Sequence, residues 1–144
     1  MKYDDLLDMP YADFCRDGGD GCFGLVMAVC RRLGVPLPEY RTLALDAITG
    51  DAVNRFRPWF IETTGHPAPG DLVLIRKMDG SEYHVGVMVE RGWFLQATSD
   101  HGVFRMRLNH PRVRDRIEGI YRYKGQEREK RIEKREDQAL GIPG

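Results

Sequence analysis

Apolar and polar residues alternate with a period of two through the second half of the chain, and this alternation constrains the fold more than any other feature. Five segments carry it and predict β-strands. They are residues 71–77, 83–90, 93–98, 102–108 and 117–123. Consecutive short strands of this kind predict an antiparallel meander with one face of each strand toward a core.

Ahead of the strands, apolar residues recur at helical spacing. One stripe, about three turns long, comprises Leu25, Val26, Val29, Cys30 and Leu33. Asp20 or Gly21 can begin this helix, and Gly34 and Pro36 end it. The pattern predicts an amphipathic helix just before the β-rich half.

The remaining segments complete the fold prediction. Residues 1–20 predict a short acidic helical turn and then a loop, and residues 41–63 predict mostly helix, broken at Pro58. Helices followed by an antiparallel meander indicate an α+β fold, in which N-terminal helices pack on a sheet of five to six strands. We expect one domain over residues 1–123 and a charged, solvated helical tail over residues 124–144.

Three cysteines occupy different positions in these elements. They cannot all pair within the chain, so we expect no disulfide framework. Cys30 falls in the apolar stripe and Cys15 in a loop, whereas Cys22 falls in the first turn of the helix, where the helix dipole favours a thiolate. Position alone therefore singles out Cys22 as the reactive thiol. Cys15 and Cys22 lack metal-ligand spacing and the histidines are scattered, so we expect no metal site.

Residues 83–98 predict a hairpin whose register follows from its own patterning. A three-residue loop that ends at Gly92, with this glycine left-handed, makes one face apolar. That face pairs Val89 with Trp93, Val87 with Leu95 and Val85 with Ala97, and the other pairs Met88 with Phe94, Gly86 with Gln96 and His84 with Thr98. A two-residue loop would set Glu90 opposite Trp93 and spoil both faces.

This register places His84 and Gln96 on one face as diagonal neighbours within side-chain reach. Gly86 lies between them and is expected to leave room for the imidazole to turn and for another element to pack closely. Taken singly, His84 is more often a satisfied structural histidine and Gln96 more often a surface strand residue. Together with Cys22 they can form a papain-type site, in which cysteine attacks, histidine moves the proton and the amide orients the ring.

Four motifs, in order, resemble the NlpC-type cell-wall hydrolases, which are papain-like cysteine peptidases of bacteria and phages. The matching stretches are GCFGLV, APGDLVLI, HVGVMV and FLQAT. The resemblance covers about Tyr11 to Tyr123 and implies a papain-like NlpC-type fold. The connector RRLGVPLPEY and the segment RVRDRIEGIYRY resemble the phage tail-assembly members of that family in particular.

The resemblance implies a role for each site residue. Cys22 would be the nucleophile, His84 the general base and Gln96 the residue that orients the base. Tyr11 is the nearest match to a tyrosine that contacts the oxyanion or the substrate in many members. The implied substrate is the peptide stem of bacterial peptidoglycan, and no metal or organic cofactor is implied.

Two positions depart from the family pattern. Gly21 stands directly before the cysteine, where the family usually has aspartate, and this alters helix capping. Gln96 stands where the family usually has a second histidine, and its side-chain oxygen can still accept the ring N–H. A catalytically silent structural protein of a phage tail tip is therefore the alternative function. Acyl transfer by a circularly permuted relative fits less well, because such relatives place the histidine before the cysteine.

Charge and hydropathy restrict the partners. The 22 basic and 22 acidic residues give a formal net charge of zero, so we expect neither nucleic acid nor an anionic membrane as a partner. No segment has the pattern of a signal peptide or a membrane span. We expect a protein made in the cytoplasm that acts on peptidoglycan stem peptides and is incorporated, with other tail proteins, into a phage tail.

Overall fold

The computed structural model describes five parts of the chain, and the side chains of residues 21–23 are outside the description. The five parts are residues 3–10, 21–37, 59–78, 83–98 and 100–125. The elements in chain order are a 3₁₀ helix at Asp4–Leu6, α1 at Gly21–Leu33, β1 at Phe60–Glu62, β2 at Leu72–Arg76, β3 at Tyr83–Glu90, β4 at Trp93–Thr98, β5 at Gly102–Arg107, a second 3₁₀ helix at Arg114–Arg116 and β6 at Ile117–Tyr123. The segment 11–20, most of the region predicted as helix over 41–63, and the tail from residue 126 lie outside the described residues.

The strands form one six-stranded sheet in the order β1-β6-β2-β3-β4-β5, with every pair antiparallel. All five predicted strands are present, and with α1 they confirm the α+β class. In the described part of the chain α1 is the single α-helix, so the prediction of several N-terminal helices extends beyond what is described.

β1 corrects the sequence prediction. Residues 60–62 were expected to continue a helix, but they pair with the last strand, Phe60 opposite Tyr123. Phe60 is buried, and its ring meets that of Tyr123 edge to face with centroids 5.9 Å apart. A strand of 3 residues shows no period of its own, so its conformation is set by a partner far along the chain rather than by local propensity.

The C-terminus of α1 ends as predicted, at Gly34. This glycine has φ +77°, the left-handed conformation that residues without a Cβ adopt easily. The N–H of Val35 donates to the carbonyl oxygen of Cys30 at 2.8 Å, and the N–H of Gly34 donates to that of Arg31 at 3.3 Å. These two bonds define a Schellman motif, and the buried side chains of Val35 and Cys30 supply the apolar contact that accompanies it.

The sheet has two buried faces. On one face α1 packs through its predicted stripe, and the cluster includes Leu25, Val26, Val29, Cys30, Leu72, Leu74, Val85, Val87 and Leu95. The other face forms a smaller cluster of Val73, Ile75, Met88, Phe94 and Val113. Val113 belongs to the connection between β5 and β6, so this connection covers part of the second face. Strands that alternate between two apolar clusters explain why β2 reads as a continuous apolar run.

The β3–β4 hairpin keeps the predicted faces but reaches them differently. Val87 pairs with Leu95 and Met88 with Phe94, as predicted. At the turn, however, Trp93 pairs with Glu90 rather than with the expected Val89, and the register shifts by one residue between Met88 and Glu90. The loop therefore has two residues, Arg91 and Gly92, and the predicted three-residue loop is wrong. A bulge between Met88 and Glu90 absorbs the extra residue and retains the predicted faces, and Gly92 takes the predicted left-handed conformation, with φ +79°.

Candidate active site

Cys22 is the second residue of α1, in the first turn of the helix. The backbone N–H groups of a first turn have no partner within the helix, and the helix dipole makes this end positive. Both effects favour a thiolate at this position and can stabilise an oxyanion. The side chain of Cys22 lies outside the described part, so its role as nucleophile stays a prediction.

His84 and Gln96 face each other from adjacent strands. Nε2 of His84 and Oε1 of Gln96 are 2.7 Å apart, so the two side chains lie on one face of β3 and β4, as the alternation predicted. Gln96 is buried, at 5% exposure, and His84 is partly buried. The sheet therefore holds both side chains by strand position rather than by a mobile loop.

The hydrogen bonds of Gln96 determine the tautomer of His84. The amide nitrogen of Gln96 donates to Sδ of Met106 at 3.4 Å, so its oxygen is the atom directed at the ring. An amide oxygen only accepts, and Nε2 of His84 therefore carries a hydrogen. In the neutral ring this leaves the lone pair on Nδ1, which is the nitrogen available to take a proton.

His84 is neutral at physiological pH. Burial lowers the pKa of the imidazole to about 4; the hydrogen bond with Gln96 opposes this shift, and the positive charges of Lys77 and Arg116 add to it. A neutral ring can accept a proton from a thiol, but a ring with so low a pKa accepts it weakly. A negative charge close to the ring would raise the pKa of His84 and make it a stronger base.

The space beside Gly86 has a different use from the one expected. A Cβ atom at this position would lie 2.7 Å from Cδ2 of Phe94 and 2.9 Å from the carbonyl oxygen of Leu95. The absent side chain thus accommodates the buried ring of Phe94 rather than a turning imidazole. Glycine at this position therefore allows Phe94 on β4 to pack into the second core cluster.

The thiol of Cys30, whose side chain is described, is buried in the core. Its Sγ is buried 3.5 Å from the carbonyl oxygen of Gly70. Burial, followed by the negative charge of Asp71, raises the pKa of this thiol to about 12. The prediction that Cys30 belongs to the core is confirmed, and a thiol with so high a pKa is not a nucleophile at neutral pH.

Two other sequence predictions concern the site. Tyr11 lies outside the described residues, so its contact with substrate or oxyanion stays a prediction. Within the described ranges no group of three or more His, Cys, Asp or Glu side chains could hold a metal ion. No helix in that same part of the chain is long and apolar enough to cross a membrane.

Met106 is the site residue that sequence reasoning missed. It contacts Gln96 diagonally across β4 and β5, where Gln96 pairs directly with Phe104 and Phe94 with Met106. The alternation of 102–108 placed Met106 on some face of β5. Only the register with β4 shows that this face is the one that carries His84.

The comparison with protein families agrees with this geometry. The pattern of the NlpC/P60 family matches residues 15–122, a span that includes α1, the hairpin and nearly all of β6. The chain belongs to the NlpC/P60 family. Members are generally cysteine peptidases that act on the peptides of the bacterial cell wall. No curated protein sequence matches the chain.

Proposed function

We propose that this protein is a cysteine peptidase that hydrolyses the peptide stems of bacterial peptidoglycan, with Cys22, His84 and Gln96 as its catalytic group. The observation that carries the proposal is the 2.7 Å contact between His84 Nε2 and Gln96 Oε1. It holds the ring with the Nδ1 lone pair free, which is what a general base requires. Membership of the family and the position of Cys22 at the start of α1 support the same reaction.

The proposed reaction has two steps. Nδ1 of His84 takes the thiol proton of Cys22, and the thiolate attacks the carbonyl carbon of the scissile peptide bond. Backbone N–H groups in the first turn of α1 stabilise the oxyanion that forms. The amine leaves with the proton from His84, and water then hydrolyses the thioester with His84 again as the base.

The pKa of His84 has a consequence for this scheme. Burial opposes formation of an imidazolium, and the cationic groups Lys77 and Arg116 add to this effect. Gln96 is neutral, so it does not compensate with charge. A thiolate beside the ring supplies the missing negative charge, because an opposite charge a few ångströms away raises the pKa of an imidazole. We therefore expect the resting ring to be neutral and the imidazolium to form only during the reaction, as the thiolate forms beside it.

The setting we propose is a phage tail or its assembly, where the enzyme would open the cell wall during infection. The resemblance of the RRLGVPLPEY and RVRDRIEGIYRY segments to tail-assembly members supports this setting. Tyr11 is proposed to contact the oxyanion or the substrate.

A second candidate function is a structural tail-tip protein that retains the fold without turnover. The low pKa of His84 favours it, because a base of that strength removes a thiol proton poorly unless the thiolate raises its pKa. The absence of an aspartate directly before Cys22 points in the same direction.

Digestion of purified stem peptides separates the two candidates. The parent protein is expected to release a new amino terminus from a panel of peptidoglycan stem peptides, detected by mass spectrometry. Cys22→Ala should abolish the cleavage, whereas the matched variant Cys15→Ala should retain it. If the parent cleaves no member of the panel, and Cys22→Ala particles assemble and infect normally, the structural function replaces the enzymatic one.

A further inference from the structure

Three side chains on adjacent strands form a row on one face of the sheet. His84 lies on β3, Gln96 on β4 and Met106 on β5. Gln96 contacts both neighbours, through Oε1 to His84 Nε2 at 2.7 Å and through Nε2 to Met106 Sδ at 3.4 Å. Met106 is partly buried and packs against the second core cluster. The two ends of one amide group are thus assigned to two different partners.

The orientation of this amide decides where the proton of His84 lies. A rotation of the Gln96 amide by half a turn exchanges its oxygen and nitrogen at almost no change in shape. The amide nitrogen would then donate to His84 Nε2, and the ring proton would move to Nδ1. That tautomer has no lone pair on Nδ1 and cannot serve as the proposed base.

Met106 distinguishes the two orientations. A thioether sulfur accepts a hydrogen bond and has none to donate, so it is compatible with the amide nitrogen and not with the amide oxygen. Because Gln96 is buried, an amide nitrogen without an acceptor there would lose free energy. The contact therefore favours the orientation that directs the oxygen at His84.

We propose that Met106 is a positioning residue, which fixes the orientation of the Gln96 amide and through it the tautomer of His84. The proposal rests on the proposed function in assigning the role of base to His84. Its structural part, the link from Met106 to the tautomer, is independent of turnover. A glutamine requires such a positioning residue because its amide has one accepting and one donating end, whereas both oxygens of a carboxylate accept.

The ¹⁵N spectrum of the histidine rings tests the proposal at neutral pH, where His84 is uncharged. The parent is expected to show His84 with its proton on Nε2. Met106→Leu keeps the volume and removes the acceptor, so the tautomer protonated on Nδ1 should appear beside the original one. We expect kcat/KM on stem peptides to fall about two- to fivefold with KM nearly unchanged. One hydrogen bond's free energy separates the two orientations of the Gln96 amide, and its loss leaves both orientations populated.

Met88→Leu is the matched control. Met88 is fully buried on the same face of the sheet, in the same cluster, and it has no part in the row. Its substitution should leave the His84 tautomer as in the parent. A tautomer change in Met88→Leu as large as in Met106→Leu would assign the effect to packing and overturn the proposal.

Two further variants sharpen the test. Met106→Lys replaces the accepting sulfur with an ammonium group, which only donates hydrogen bonds. The Gln96 oxygen should then turn toward this ammonium group and away from the ring, which makes the Nδ1-protonated tautomer of His84 dominant. Gln96→Glu presents an accepting oxygen in either orientation, so Met106→Leu should be silent in that background. An unchanged tautomer in both Met106 variants overturns the proposal.

The test also separates this proposal from the proposed function. If the tautomer shifts as described but no variant, the parent included, cleaves a stem peptide, the role of Met106 stands and the peptidase function falls. If the parent cleaves and the tautomer is insensitive to Met106, the peptidase function stands and the role of Met106 falls.

Discussion

Two polar pairs lie at opposite ends of β2, and they use their hydrogen-bonding groups in opposite ways. Just before β2, Asp71 accepts two bonds from the guanidinium of Arg122, each 3.0 Å long, and a third from the N–H of Ala68 at 2.8 Å. Near the other end, opposite Ile75, His84 makes one hydrogen bond with Gln96, and among the described residues Nδ1 has no partner. The first pair is satisfied and charged; the second is neutral, with one ring nitrogen that makes no hydrogen bond to a described residue.

The difference shows which pair is structural and which is suited to chemistry. Asp71 is only 1% exposed, and a carboxylate buried that deeply requires its counter-charge and its hydrogen bonds. Both carboxylate oxygens of Asp71 are engaged by structural partners, Arg122 and the N–H of Ala68. His84 keeps one reactive atom, and its neighbours fix which atom that is. A buried polar group is suited to catalysis when its neighbours fix its orientation and one of its hydrogen-bonding atoms remains available to the substrate or nucleophile.

Removal of the proposed base, His84, should have the largest effect. His84→Gln is expected to lower kcat/KM on stem peptides by about 10²- to 10⁴-fold, the usual contribution of a general base. The free energy of unfolding should change by less than about 1 kcal/mol, because an amide at this position can still bond to Gln96. Turnover assays and urea unfolding on the same preparation measure the two quantities. A large loss of stability with little loss of turnover would reverse the roles assigned to the two pairs.

The ion pair should behave in the opposite manner. Arg122→Met leaves a buried carboxylate without its counter-charge and should lower the free energy of unfolding by about 3 kcal/mol. The double variant Asp71→Asn/Arg122→Met is the matched control, and it should recover part of this loss because no unpaired charge remains. The midpoint of urea unfolding measures both. Equal destabilisation in the single and double variants would show that the charge of Asp71 is not what Arg122 compensates.

Acid should destabilise the protein through His84. The pKa of this ring is lowered to about 4 in the folded state, against about 6.5 in an unfolded chain. The unfolded state therefore binds more protons between these values, so stability is full above pH 6.5 and falls as the pH drops toward 4, by on the order of 3 kcal/mol. Urea unfolding of the parent and of His84→Gln across this range measures the effect. The same slope in both proteins would remove His84 as its source.

The orienting amide should have the smallest effect. Gln96→Ala is expected to lower kcat about tenfold without unfolding the protein, because it removes the bond that selects the His84 tautomer and leaves the base in place. Gln96→His restores the residue usual in the family and should retain or raise activity. Steady-state assays at neutral pH provide the comparison. If Gln96→Ala retained full turnover, Gln96 would be a strand residue without a catalytic role.

The sequence predicted those parts of the structure that burial alone determines. The faces of His84 and Gln96 followed from alternation, since a shift of one residue would have set Val87 opposite Gln96. The end of α1 followed from Gly34. In each case the determining contacts lie within a short stretch of chain.

What was missed depends on contacts between distant segments. β1 is too short to show a period and takes its conformation from β6. The alternation of apolar and polar residues does not reveal the bulge at Val89, because the bulge leaves the residues on both faces of the hairpin unchanged and alters only the pair next to the turn. The low pKa of His84 comes first from burial within the fold and then from Lys77 and Arg116, which lie in two other segments of the chain. The contact between Met106 and Gln96 needed the register of β4 with β5.

The most direct test of the central claim is the rate at which each cysteine is alkylated, measured by limited iodoacetamide treatment and peptide mapping. We predict that Cys22 is labelled faster than Cys15 and Cys30 near neutral pH, because a thiolate at a helix start is the reactive form. His84→Gln should slow the labelling of Cys22 toward that of Cys15, while Cys30 stays unlabelled in both proteins. Preferential labelling at Cys15 or Cys30, or a Cys22 rate unaffected by His84→Gln, would contradict the assignment of Cys22 and His84 as nucleophile and base.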